Sequence, residues 1–156
     1  MPLLSRLRGS VSARALRFGA VGLSGVFVNL ACVQALVVVL GWPRLVGLPA
    51  AIEVSILTNF LLNDAWTFRD RTEGAAAGFW ARLGRYNLVA LVGLAIQVVI
   101  AETAARGLET AGWKPLGAGI HVAALAGIAA ATGWNFVSSL RFTWAQRTTH
   151  ESEVVP

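Results

Sequence analysis

Four stretches of this chain, about residues 18–40, 45–62, 87–105 and 117–138, are predominantly apolar over at least 18 consecutive positions apiece. As helices rising about 1.5 Å per residue, they would reach about 27–35 Å, the thickness of a ~30 Å hydrocarbon core. Lipid offers no partner to an open backbone, so segments of this kind cross it as helices. Composition points the same way: with 56% hydrophobic and only 13% charged residues, there is too little polar surface for a soluble domain. The first stretch is too long for a signal-peptide core and lacks a small-residue cleavage site, so it is expected to stay. The single cysteine, Cys32, cannot form an internal disulfide and reads as a packing residue.

The basic residues are distributed unevenly. Arg6, Arg8, Arg14 and Arg17 precede the first segment, Arg69, Arg71, Arg82 and Arg85 lie between the second and third, and Arg141 and Arg147 follow the fourth; Arg44, Arg106 and Lys114 fall on the other side. By the positive-inside rule this predicts a multi-pass membrane protein with both termini cytoplasmic. Its expected parts are a basic segment 1–16, a helical domain 17–145 with a cytoplasmic loop 63–85, and a tail 146–156. Trp42 and Trp113 would mark the outer interface.

The chain also repeats itself. "RFGAVGLSGVFVNL" (17–30) aligns with "RYNLVALVGLAIQVV" (85–99) at an offset of 68, pairing Arg17 with Arg85, Gly25 with Gly93 and Asn29 with Gln97. "NFLLNDAWTF" (59–68) aligns with "NFVSSLRFTW" (135–144) at an offset of 76, pairing Asn59 with Asn135, Trp66 with Phe142, Thr67 with Thr143 and Phe68 with Trp144. The expected fold is therefore an all-α membrane protein of four transmembrane helices, built as two parallel two-helix repeats that both enter from the cytoplasm.

Polar residues inside such segments need partners. Glu53, near the middle of the second segment, is expected to face the bundle interior and bond Asn29, Gln34 or Gln97, or to serve as a coupling or substrate group. Asn59, Asn63 and Asn135 should find hydrogen bonds across the bundle, forming with Asn29, Glu53, Asp64 and Gln97 a polar network or path. Asp64 closes a helix whose C-terminal dipole is already negative, so it requires a cation, with Arg17, Arg85 or Arg141 as candidates. Trp66, Thr67, Phe68, Phe142, Thr143 and Trp144 form an interfacial motif, the aromatic rings suiting the headgroup layer. Arg17 and Arg85 open helices whose free amides favour anions, a setting suited to phosphate. One cysteine and two histidines make no metal-ligand set, and no nucleophile and base are spaced for catalysis. Neither a cofactor, an enzymatic activity nor a nucleic-acid partner is expected.

With its twin motifs "NFLLNDAWTF" and "NFVSSLRFTW", preceded by "RFGAVGLSG" and "RYNLVALVG", the chain resembles the GtrA-like family of four-helix membrane proteins over about residues 15–145. The likeness is to the branch found alone or fused behind glycosyltransferases of the dolichol-phosphate-mannose-synthase type. Arg17, Asn59, Asn63, Trp66, Thr67 and Phe68 match the family pattern in the first half, and Arg85, Asn135, Arg141 and Thr143 in the second. The chain departs from it at Asp64 and Ala65, where many members carry a basic residue.

The resemblance implies a part in cell-surface polysaccharide or glycoconjugate synthesis. On that reading the chain binds or translocates a polyprenyl-phosphate-linked sugar, with Arg17, Arg85 and Arg141 on the phosphate. A second reading makes it a membrane anchor or assembly subunit for a partner glycosyltransferase. A third, resting on Glu53, makes it a small proton-coupled exporter working as a dimer, the simplest homo-oligomer. Membrane lipid is a partner in all three.

Overall fold

The computed structural model describes residues 2–73, 75–112 and 118–146; Trp113, Lys114, Pro115 and Arg147 lie outside the described residues. Helix α1 (Pro2–Val33) runs on through a π turn at Gln34–Val39. Helix α2 (Arg44–Leu62) ends in a π turn at Asn63–Thr67, and the short α3 (Arg69–Thr72) follows. Helix α4 covers Phe79–Thr110, and α5 (Ala118–Ser138) closes in a third π turn at Ser139–Thr143. The described chain is nearly all helix, with four helices long and apolar enough to cross a membrane.

Two helices are longer than their apolar stretches. The basic segment before residue 17 continues α1, since its Arg, Leu and Ala residues are all good helix formers. Likewise α4 begins at Phe79, inside the expected loop 63–85, because Arg82, Tyr86, Val89 and Gly93 recur at helical spacing along one buried face. At 32 residues each, these helices would extend about 48 Å, well past a ~30 Å core.

The two turns at the far end share a device. Gly41 and Gly112 both adopt positive φ, 67° and 86°, which glycine reaches without the steric cost of a Cβ. Pro43 then caps α2, where its missing N–H costs nothing.

Packing is pairwise: α1 lies against α2, and α4 against α5. Ser55 Oγ donates to the Gly25 carbonyl at 2.7 Å. Gly127 sits so close to the Gln97 carbonyl that a Cβ there would collide with backbone. Helices α1 and α5 meet only sparsely. The aromatic core gathers at the bundle end that carries the twin motifs. There Phe18, Phe60, Phe68, Tyr86 and Trp144 form one buried cluster, with Trp144 stacked on Phe68 at 4.2 Å and 15°. Toward the far end most apolar side chains are exposed, as lipid-facing surface should be.

Candidate functional site

The sparse contact between α1 and α5 leaves a cavity of about 450 Å³, walled by Phe18, Gly19, Gly22, Leu23 and Val26 of α1 and by Ile128, Ala131 and Thr132 of α5. Its polar lining is supplied by Asn59, Asn63, Gln97 and Asn135, with the Tyr86 ring. Asn63 is 1% exposed, its Nδ2 donating to the Tyr86 hydroxyl at 3.2 Å while its Oδ1 has no partner. The amide oxygens of Asn29, Asn59 and Asn135 are likewise unpaired. Each such buried acceptor costs about 1–3 kcal/mol relative to a bonded one. Asn29 lies apart from the cavity, in a 260 Å³ groove that shares Asn59 with it.

Glycine makes this arrangement sterically feasible. A Cβ on Gly25 would overlap the Asn59 amide, and a Cβ on Gly93 would overlap the Asn135 amide. The same close approach is thus made twice, by residues paired in the aligned blocks. The π turns match in the same way: Phe68 N donates to Asn63 O at 2.8 Å, and Trp144 N to Ser139 O at 2.9 Å. The extra residue in each turns Thr67, Ser139 and Thr143 inward, where their hydroxyl oxygens are buried without partners. Bulges of this kind concentrate at functional positions.

Asp64 does not pair with Arg17, Arg85 or Arg141. Arg82 grips it through both oxygens, Nε to Oδ1 at 3.0 Å and Nη2 to Oδ2 at 2.9 Å, and the Trp144 indole N–H donates to Oδ1 at 2.8 Å. The third Arg82 nitrogen reaches the Ala77 carbonyl at 2.9 Å. This reach exists because α4 starts at Phe79 and carries Arg82 on its buried face. Arg71 closes the other carbonyls nearby, donating to Leu140 O at 3.2 Å and Trp144 O at 3.3 Å. Desolvation, and then repulsion by Arg14, lowers the Arg71 pKa.

Four of the interfacial assignments need sorting by exposure. Trp66 and Phe142 are 50% and 57% exposed, as rings at an interface would be. Phe68 and Trp144, by contrast, are 0% exposed and are core residues, because the π turn before each rotates it inward, Phe68 onto Phe18 and Trp144, and Trp144 onto Phe60 and Tyr86.

The three candidate phosphate arginines do not share one site. Arg17 stacks over Trp66 at 5.7 Å in a groove of about 620 Å³ that also holds Arg14, Arg69, Asp70 and Glu73, with Arg14 and Asp70 paired at 2.6 Å. Arg85 and Arg141 line a second groove of about 530 Å³ above Leu88, Val92, Trp134 and Phe142. There Arg85 Nη1 donates to Phe142 O at 3.0 Å. Arg17 immediately precedes Phe18 and Gly19, which wall the amide-lined cavity.

Glu53 departs from expectation more sharply. It is exposed on the outside of the bundle, and its Oε1 accepts from Asn87 Nδ2 at 2.7 Å, not from Asn29, Gln34 or Gln97. Arg82, Asn87 and Tyr86 are the residues that reading the sequence missed as site members. The 82, 86, 89, 93 spacing was the available signal for two of them.

A family model described as the GtrA/DPMS transmembrane domain matches residues 17–149. The chain is also similar to a dolichol-phosphate mannosyltransferase of Pyrococcus furiosus, 35% identical over 134 residues. That alignment covers 85% of this chain but 34% of the relative, so the chain spans about a third of that protein's length. With the matching motif positions brought together at one end of a four-helix bundle, the chain belongs to the GtrA/DPMS transmembrane-domain family.

Proposed function

We propose that this multi-pass membrane protein is a non-enzymatic binder or translocator of a polyprenyl-phosphate-linked sugar, working in cell-surface glycoconjugate synthesis. The carrying observation is the cavity between α1 and α5, lined by three asparagines and a glutamine in an otherwise apolar bundle. Sugar hydroxyls entering hydrocarbon need such partners, and a cavity flanked by exposed residues of α1 and α5 leaves a way in from the lipid. The phosphate meets Arg17 at the motif end, next to the cavity. The groove of Arg85 and Arg141 offers it a second station, with apolar wall for the first isoprene units. On this reading the two helix pairs are parallel repeats, both termini and the motif end are cytoplasmic, and the membrane is the inner one. The family of the relative, a dolichol-phosphate mannosyltransferase, supports the substrate class. Reconstituted vesicles carrying a lipid-linked sugar test it. Asn135→Ala and Arg17→Gln should each slow translocation at least tenfold in folded protein, and rates equal to wild type for both would refute the assignment.

A second reading, an anchor for a glycosyltransferase, draws on the mixed-charge groove of Arg14, Arg17, Arg69, Asp70 and Glu73 with its exposed Trp66. Substituting Arg69 and Glu73 should then abolish enzyme recruitment while leaving translocation intact. The exporter reading loses its support, since Glu53 lines none of these cavities.

A further inference from the structure

Glu53 is the tenth residue of the 24-residue span Arg44–Thr67, about 14 Å along it at ~1.5 Å per residue and so near mid-membrane. A carboxyl group at that depth usually faces a bundle interior or a water-filled cavity, because lipid supplies no hydrogen bonds. This one is exposed on the bundle's outer surface. Asn87 is half-buried beside it and donates Nδ2 to Glu53 Oε1 at 2.7 Å. Among the described residues no other hydrogen bond reaches either side chain, so Glu53 Oε2 and the Asn87 side-chain amide oxygen have no partner there.

We infer that the face of α2 and α4 carrying Glu53 and Asn87 is the interface with a second copy of this chain. The pair holds a donor and acceptors together, so it is complementary to itself. A two-fold axis beside it lets Asn87 of each copy donate to the free Glu53 oxygen of the other. The neighbouring surface allows the approach: Ala50 lies three residues from Glu53 and Ala90 three from Asn87, on the same helix faces and both half-buried. Small residues beside a polar pair are what closely packed membrane helices use.

The test uses the full chain, labelled with donor and acceptor fluorophores in lipid vesicles and diluted with lipid. Wild type should self-associate reversibly. Glu53→Leu and Asn87→Leu should each weaken association about tenfold, Glu53→Gln should stay within about threefold because an amide still bonds, and Leu125→Ala on exposed α5 should change nothing. In a Cys32→Ala background, Ala50→Cys should oxidise to a covalent dimer and Leu125→Cys should not. This second readout holds even if a leucine variant folds poorly. A chain monomeric at every dilution, leucine variants that associate like wild type, or cross-linking at 125 in place of 50 would each overturn the inference.

Discussion

Arg82 holds Asp64 with two parallel hydrogen bonds, 3.0 and 2.9 Å long, with 8% and 16% of the respective side chains exposed. The bond joins the end of the first helix pair to the start of the second. The Trp144 indole donates to the same carboxylate at 2.8 Å, so one acid ties together three parts of the chain. Bidentate geometry and shelter from solvent make this pair matter more than the exposed Arg106–Glu102 bridge.

Removing one member leaves the other charge uncompensated. Asp64→Ala and Arg82→Ala should each cost about 3 kcal/mol, while the double substitution should cost clearly less than the sum. Thermal unfolding in detergent measures this; additive losses would mean the two residues act independently. Arg106→Ala should shift the midpoint very little.

The two tryptophans of the twin motifs should respond differently. Trp144→Ala empties the centre of the aromatic cluster and should cost about 3–5 kcal/mol. Trp66→Ala, half exposed, should cost under about 1 kcal/mol and act on the Arg17 groove instead. Equal losses of stability would contradict the assignment of Trp144 to the core.

Glycine substitutions separate the sites of close approach from ordinary helix positions. Gly25→Ala and Gly93→Ala force the Asn59 and Asn135 amides aside and should destabilise by about 1–3 kcal/mol. Gly19→Ala and Gly107→Ala meet nothing within 4 Å and should be neutral or stabilise by up to about 1 kcal/mol. Chemical denaturation of the four variants side by side gives the comparison.

The four spans were legible because apolar length alone selects a membrane helix. The asparagines stood out for the same reason, since an amide in hydrocarbon needs a partner, and Asn59, Asn63 and Asn135 line one cavity. Composition could not separate an aromatic ring at the lipid interface from one in the core, so Phe68 and Trp144 were read like Trp66 and Phe142. The difference lies in the π turns, whose extra residue leaves no mark in apolar periodicity. The aligned blocks did hold it: they pair Trp66 with Phe142, both exposed, and Phe68 with Trp144, both buried. The partner of Asp64 was hidden differently. Arg82 counted among the topology charges of a loop, whereas the face it shares with Tyr86, Val89 and Gly93 makes it part of α4. Glu53 ran against the strongest prior of all, that a polar group in a span turns inward.

The most direct measurement is binding of a photoactivatable polyprenyl-phosphate sugar to a chain whose cavity has been filled. Gly22 walls the cavity, and a Cβ added there meets no atom within 4 Å, so Gly22→Leu starts a side chain into the space without a clash at its base. Saturable labelling should fall at least tenfold while the unfolding midpoint stays near that of wild type, with Gly107→Leu as the unaffected control. Undiminished labelling of folded Gly22→Leu would contradict the claim that this cavity receives the sugar.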